Sequence, residues 1–235
     1  MEDFFRESRD RIEQVLQEDF EIEEINAIPD IPDIPFRNKG GLIETSVLFV
    51  DLRGSSDLTE GHRRSTVAKM HKCFLNEMVQ ASIYWNGKVR GFAGDRIMVL
   101  SDADESPANR AVDIAITMQS IVKHILSPRI EKLYNEKVSC GIGIDFGKML
   151  VAKVGMQRDP NHNDLVWTGG PANVASKLAD EAREGEIRVT DRIYDRLRDE
   201  LKKPGWWTRT VQSISGKNEI VYYNSGLYKI AVENV

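Results

Sequence analysis

The order of strand-like and helix-like runs is the feature of this sequence that most constrains its fold. From Thr45 onward, a continuous apolar run is followed by helical periodicity, two strand-like runs, a second helical stretch and a further strand. This β-α-β-β-α-β order predicts an α/β fold of the α+β sandwich type, ferredoxin-like, with a mainly antiparallel sheet. We also expect a helix before this unit and closing strands after it.

The first half of the unit contains a buried strand, a helix and a hairpin. Residues 46–50 are continuously apolar, as is typical of a central strand, and helical periodicity follows over about 60–84. Asn-Gly at 86–87 and Gly-Asp at 94–95 are turn signals on either side of a strand-like run. The pattern therefore predicts a β-hairpin with Asp95 at its tip.

The second half begins with a helix that Pro107 opens, since proline is well tolerated in a first helical turn. A strand over 138–146 is expected to turn at Gly147 and return over 149–152. The other predicted elements are a helix over about 171–182, a strand over 187–190, a helix over about 192–201 with Asp191 as its N-cap, and closing strands around 207–208 and 221–223.

The N-terminal region differs in pattern from the rest of the chain. Phe5, Ile12 and Leu16 lie on one helical stripe, which predicts a helix that packs on something. Residues 28–35 then repeat a three-residue proline period, which favours an extended linker and excludes a helix there. We therefore divide the chain into an N-terminal helix with a Pro-rich linker, residues 1–40, and one main domain, residues 41–235.

Charge and apolar content exclude several classes of protein. A net charge of −5 is unsuited to a surface that neutralises a nucleic-acid backbone, although local cations can still hold a small anion. No apolar run approaches the roughly 20 residues of a membrane span, and none resembles a signal peptide. Cys73 and Cys140, far apart and without CxxC spacing, are predicted to be core thiols of a cytoplasmic protein.

Two aspartates are candidate metal ligands. Asp51 ends the apolar strand and Asp95 lies at the hairpin tip, so neighbouring strands of one sheet can bring the two carboxylates together. Such a pair repels unless cations lie between its members. Hard oxygen ligands, with the backbone carbonyl of Leu52, suit Mg²⁺ or Mn²⁺ held jointly with substrate phosphates. The alternative is that each aspartate only caps a turn.

Two further segments are candidates for binding an anionic substrate. After Asp51, the turn at Gly54 followed by Ser55 and Ser56 resembles a phosphate cradle at a helix start, although an ordinary connection has the same pattern. Asn173 and Lys177 are four residues apart on one predicted helix face. Asparagine suits a ribose and lysine a phosphoryl oxygen, but a solvated helix face has the same spacing.

Taken in order, four motifs resemble the class III nucleotidyl cyclase catalytic domain. They are Phe-Val-Asp-Leu-Arg-Gly at 49–54, Gly-Asp at 94–95, Gly-Ile-Gly-Ile-Asp-Phe-Gly at 141–147 and Asn-Val-Ala-Ser-Lys at 173–177. The likeness covers about residues 43–195. It implies that a nucleoside triphosphate is cyclised to a 3′,5′-cyclic monophosphate with release of pyrophosphate.

The resemblance also implies roles for particular residues. Asp51 and Asp95 become the ligands of two divalent ions, Mn²⁺ or Mg²⁺, Asn173 orients the ribose, and Lys177 stands where these cyclases usually carry a transition-state arginine. The resemblance also implies that Arg53, Gly54, Ser55 and Ser56 form part of the substrate-binding site. Because the family builds its site between two domains, the resemblance implies a head-to-tail homodimer with two composite sites.

Two departures from the family pattern concern the base. Purine-specific members usually carry lysine where this chain has Gly91, and Asp, Thr or Ser where it has Val166. In these respects the chain resembles the pyrimidine cyclases of bacterial Pycsar antiphage defence, which signal to a separate effector. The resemblance therefore implies UTP as substrate, and Arg90 or Arg96 can donate to the uracil carbonyls.

Three other functions remain open from the sequence. One is a cytidylate cyclase, and a second is an adenylate or guanylate cyclase with a rebuilt base pocket. The third is a catalytically silent nucleotide-sensing module whose N-terminal helix docks a partner. Pyrophosphate release separates the sensor from the enzymes.

Overall fold

The computed structural model describes residues 1–101, 106–156 and 159–225, without the side chains of Ser56, Asp57 and Pro160. The helices are α1 (Glu2–Gln17), α2 (Ser55–Gly61), α3 (Arg64–Tyr84), α4 (Pro107–Ile121), α5 (Ser127–Tyr134), α6 (Gly170–Glu181) and α7 (Asp191–Tyr194). The strands are β1 (Glu21–Glu24), β2 (Lys39–Arg53), β3 (Gly87–Ala93), β4 (Arg96–Ser101), β5 (Ser139–Met156), β6 (Asp159–Thr168), β7 (Glu186–Thr190), β8 (Thr208–Ile214) and β9 (Lys217–Asn224). Short 3₁₀ turns cover Ile31–Asp33 and Asp199–Leu201, and a π-helical turn, Val122–Leu126, joins α4 to α5.

The described strands form a single sheet with the order β3-β4-β2-β5-β7-β9-β8. Strand β1 adds to β2 in parallel, and β6 adds to β5 in antiparallel orientation. Most pairs are antiparallel, whereas β5 and β7 run parallel. The predicted α+β sandwich with a mainly antiparallel sheet is therefore confirmed.

Helices cover both faces of the sheet, and alternation along β2 assigns each residue to a face. Leu48 and Val50 belong to the larger core, which α3 and α4 complete. Val47 belongs to a second core with Met149 and Ala175, which α6 completes. Since successive side chains on a strand point to opposite faces, Asp51 follows Val47 onto the α6 face. The end of β2 thus presents its carboxylate to α6.

Helix α6 approaches the sheet closely at Gly143 of β5. A Cβ atom placed there would overlap the backbone of Ala175, Leu178 and Ala179. We expect Gly143→Ala to lower the free energy of unfolding by about 1–3 kcal/mol, because the helix must shift to admit the methyl group. Urea titration measures this, with Gly61→Ala as the control because its Cβ meets nothing within 4 Å. Equal effects of the two variants would contradict the close packing.

The predicted turn at Gly147 is wrong. Strand β5 runs through this residue without reversing, and the strand that returns beside it is β6. The sequence pattern does not predict β6 because the first half of this strand is polar and rich in turn-forming residues, as in Asp-Pro-Asn-His-Asn-Asp at 159–164. Pairing with β5 satisfies the backbone of β6 despite this composition.

The predicted helix over 192–201 is also wrong, because α7 ends at Tyr194 and begins with Asp191 after Thr190 as its N-cap. Arg198 explains the early end. Its guanidinium makes two hydrogen bonds of 2.8 Å to the Asp113 carboxylate, and its backbone N–H donates to Asn109 Oδ1 at 2.7 Å. These contacts hold Arg198 against α4. A helix that continued to residue 201 would not place Arg198 at these partners.

The N-terminal helix forms as predicted, but none of its residues is buried in the single chain. The following segment packs against the main domain, since Ile28 and Ile34 are buried and β1 pairs with β2. The 3₁₀ turn Ile31–Asp33 corrects the expectation that the proline period excludes a helix, because Pro32 fits a short helical turn. The division of the chain at residue 40 stays a prediction.

The two cysteines differ in environment. Cys140 is buried, and burial raises the pKa of its thiol to about 12, so it stays protonated. Cys73 is exposed on α3, so its prediction as a core thiol is wrong. In the described part of the chain, no helix is long and apolar enough to cross a membrane.

Candidate active site

Asp51 lies at the end of β2, in register with Arg96 of β4. Its carboxylate is 16% exposed, and Oδ2 accepts hydrogen bonds from Arg53 at 3.2 Å and from Arg96 at 3.1 Å. The ion pairs offset the cost of partly burying this charge. The carboxylate is therefore held at one place on the α6 face, with two guanidinium groups beside it.

Asp95 stands at the tip of the β3-β4 hairpin, immediately before Arg96. Gly94 turns the chain there with a φ of +65°, a conformation that glycine adopts without a steric cost. Asp95 Oδ2 is buried and has no hydrogen-bond partner among the described residues. A buried carboxylate oxygen without a donor is suited to a cation.

Protein side chains would supply only part of the ligand set that a divalent ion needs here. Within the described ranges, no group of three or more His, Cys, Asp or Glu side chains is placed to hold a metal ion. Asp51, Asp95 and the carbonyl of Leu52 would supply hard oxygen ligands, and substrate phosphates would have to complete the coordination. Magnesium sites with one or two carboxylates and substrate phosphates are of this kind.

The two arginines beside Asp51 also hold α6. Arg53 donates to the carbonyl of Ala179, and Arg96 donates to Ser176 Oγ at 3.1 Å and pairs with Asp180. Burial lowers the pKa of Arg96, but the hydrogen bonds and charges of its two aspartate partners outweigh burial and raise it. Arg96 is therefore a permanent cation that joins the end of β2 to α6.

Asn173 and Lys177 lie on the same side of α6 as Ser176 and Asp180, since residues three and four apart share a helix face. Both are exposed, and Lys177 Nζ donates to Ser215 Oγ at 2.7 Å, in the turn between β8 and β9. Their four-residue spacing places them on one face, as predicted. Among the described contacts, neither Asn173 nor Lys177 hydrogen-bonds to Asp51 or Asp95, whereas Arg96 links Asp51 to Ser176 and Asp180 on the same side of the helix.

The predicted phosphate cradle begins at Gly54, which has a φ of +78° and precedes α2. This conformation turns the chain out of β2, as the sequence pattern predicted. Ser55 opens the helix, half-buried. The predicted role of the Ser56 side chain falls outside the described atoms.

A cavity of about 570 Å³ lies at the hairpin, away from Asp51. Gly91 lines it, and a Cβ at Gly91 would meet only Met98, at 3.8 Å, so the glycine leaves open space. Val166 is 44% exposed and does not line this cavity, whereas its neighbour Leu165 does. Arg96 lies outside the lining too. Among the described residues, the lining consists of Asp30, Ile31, Pro32, Val89, Arg90, Gly91, Phe92, Asp164 and Leu165.

Residues 41–224 match the family described as the adenylate and guanylate cyclase catalytic domain. The chain belongs to this family. Curated relatives include a uridylate cyclase of Gulbenkiania mobilis, 30% identical over 81% of this cyclase and 78% of the relative. A uridylate cyclase of Burkholderia cepacia is 29% identical over 78% and 80% of the two chains. A cytidylate cyclase of Escherichia coli is 23% identical over 64% of this chain and 34% of that one.

Solved structures support the fold of the cyclase domain. The adenylyl cyclase CyaB from P. aeruginosa superposes with a TM-score of 0.69 at 21% identity, covering 81% of this chain and 97% of that one. A guanylyl cyclase domain from Blastocladiella emersonii, described as a non-canonical dimer, has a TM-score of 0.64 at 15% identity and covers 78% and 96%. The chain thus has the cyclase fold, and its family makes it a nucleotidyl cyclase.

Several residues of the candidate site were not predicted from the sequence. Ser176 and Asp180 are four residues apart, as Asn173 and Lys177 are. This spacing was the one signal in the sequence that Ser176 and Asp180 share a helix face. Asp30 lies in the segment predicted to be a linker. The cavity residues of β6 belong to a strand that was not predicted. For Asp30 and the cavity residues of β6, no local pattern in the sequence pointed to the site.

Proposed function

We propose that this cyclase converts UTP to 3′,5′-cyclic UMP and pyrophosphate. A bond forms between the ribose O3′ and the α-phosphorus, and the bond from that phosphorus to the bridging oxygen of pyrophosphate breaks. The hydroxyl proton passes to solvent. The observation that carries this proposal is the placement of Gly91, where a purine-reading lysine is absent and open space remains, together with relatives that are named uridylate cyclases.

The carboxylates of Asp51 and Asp95 and the carbonyl of Leu52 are proposed to hold two divalent ions, Mn²⁺ or Mg²⁺. When bound, these ions would make the 3′-hydroxyl more acidic and neutralise charge on the leaving pyrophosphate. Asp95 Oδ2, which is buried and has no hydrogen-bond partner in the described part of the chain, supports this role. The cationic Arg53, with the amides of Gly54 and Ser55, is proposed to face the phosphates.

Two chains are proposed to form each site in a head-to-tail homodimer. Asn173 would orient the ribose and Lys177 would donate to a phosphoryl oxygen, both across the interface from the partner's metal-binding carboxylates. Their exposure in the single chain, where the described contacts include no hydrogen bond from either residue to Asp51 or Asp95, supports this arrangement. A closed two-fold pair then contains two equivalent sites.

The cyclic product is proposed to act as a second messenger. By resemblance to the Pycsar cyclases, it would activate a separate effector in the bacterial cytoplasm as part of antiphage defence. A small cyclic nucleotide suits this role, because it diffuses to a protein that the cyclase itself need not contact. Neither nucleic acid nor a membrane is required as a partner.

Incubation with each of the four ribonucleoside triphosphates and Mn²⁺ tests the substrate. We expect cyclic UMP as the main product in mass analysis, because a purine edge without polar partners loses about 1–3 kcal/mol per buried group. Cyclic CMP in excess would instead identify a cytidylate cyclase. Faster formation of cyclic AMP or cyclic GMP would contradict the proposal, and no pyrophosphate with any nucleotide would indicate a silent sensor.

A further inference from the structure

The segment over 28–34 forms a wall of the cavity at Gly91. It is anchored at both ends, since Ile28 is 2% exposed and Ile34 is 5% exposed. Lys88 Nζ of β3 donates to the Ile28 carbonyl at 3.1 Å. Between these anchors, a 3₁₀ turn closes where Asp33 N donates to the Asp30 carbonyl at 3.0 Å. The wall is therefore an ordered part of the domain surface.

Arg90 is a residue of β3, and its side chain reaches this wall. Its Nη2 donates to Asp30 Oδ1 at 2.8 Å, and its Nη1 donates to the Val89 carbonyl at 3.2 Å. Its Nε is buried and has no partner among the described residues. A guanidinium carries five N–H donors in a fixed plane, so donors remain for a ligand once two nitrogens are held.

We propose that Asp30 is a positioning residue that holds the Arg90 guanidinium for recognition of the uracil ring of UTP in this cavity. The inference rests on the proposed function and deepens it. Asp30 lies outside residues 41–224, which match the cyclase family, so the N-terminal segment adds a determinant of specificity to the family domain. One wall of the base site is then formed by the segment predicted to be a linker.

The chemistry of the lining suits uracil. Uracil presents two carbonyl acceptors on either side of one N–H donor. Arg90 only donates, which matches a carbonyl oxygen, and the exposed carboxylate of Asp164 on the cavity lining is an acceptor for the ring N–H. The Asp30 carboxylate fixes the plane of the fork, which reduces the freedom that Arg90 must lose when it binds the base.

Asp30→Asn tests the inference, because it removes the charge and preserves the shape of the side chain. The matched control is Asp19→Asn, an exposed aspartate of the same N-terminal region whose loss changes the net charge equally. We expect kcat/KM for UTP to fall about tenfold in Asp30→Asn, mainly through KM, with kcat/KM for ATP unchanged. Asp30→Glu should recover part of the loss, and Asp19→Asn should match the parent protein.

A binding measurement supplies a readout besides turnover. 3′-Deoxy-UTP lacks the attacking hydroxyl, so its affinity reports recognition alone. Asp30→Asn and Arg90→Lys should each lower the affinity for 3′-deoxy-UTP about tenfold. The affinity of the double variant should lie within about twofold of that of each single variant. 3′-Deoxy-ATP should bind all of these proteins equally.

The outcomes separate this inference from the proposed function. If the parent protein prefers UTP and Asp30→Asn leaves both the UTP to ATP ratio and 3′-deoxy-UTP binding unchanged, the role of Asp30 is overturned and the proposed function stands. Equal losses with UTP and ATP indicate a structural role and also overturn it. If the parent protein prefers a purine nucleotide, the proposed function fails, and the inference fails with it.

Discussion

We expect turnover by the cyclase to fall at least about a thousandfold when Asp51 is replaced by asparagine, and equally when Asp95 is replaced. Each substitution keeps the side-chain shape and removes a negative charge that would hold metal ions at the transition state. A loss of several kcal/mol in transition-state stabilisation corresponds to this factor. Initial rates of pyrophosphate release with UTP and Mn²⁺ measure it.

The control is Glu44→Gln, which removes the same charge from an exposed position of β2. Its turnover should equal that of the parent protein. Asp51→Asn should keep its fold, because Arg96 retains Ser176 and Asp180 as partners on α6. Turnover within about tenfold of the parent protein in a folded Asp51→Asn enzyme would contradict the proposed metal site.

We expect activity to return when an Asp51→Asn chain is paired with an Asn173→Ala chain, although each variant alone should be inactive. In a head-to-tail dimer, the mixed pair contains one doubly altered site and one site with both functional groups intact. Heterodimers, co-expressed with two different affinity tags and purified through both, should therefore show about half of the parent turnover per dimer. The measurement is pyrophosphate release normalised to dimer concentration.

The matched control pairs Asp51→Asn with Asp95→Asn. These two residues belong to the same half of each site, so both sites of the mixed dimer lack one carboxylate and no activity should return. If neither heterodimer is active, the composite site is wrong and one chain must complete its own site. Activity in both heterodimers would mean that Asp51 and Asp95 of one chain contribute to different sites of the dimer.

Most of the fold followed from local pattern. The strand that ends at Asp51, the hairpin that carries Asp95 and helix α6 were predicted because their signals are local: an apolar run, turn residues and a helical period. Strand β6 and the short helix α7 were not predicted. The polar residues of β6 become a strand through pairing with β5, and the contact of Arg198 with Asp113 shortens α7. Both depend on contacts between residues distant in sequence.

The candidate site divides in the same way. Residue types and spacing were enough to indicate the reactive groups, namely two strand-end carboxylates, an Asn and Lys pair at helical spacing and a glycine where purine cyclases carry lysine. The packing of separate elements was needed to show that Arg96 pairs with Asp51 and α6 instead of lining the cavity at Gly91, and that Asp30 reaches Arg90. Periodicity specifies the face on which a side chain lies, whereas the partner on that face is set by how separate elements pack.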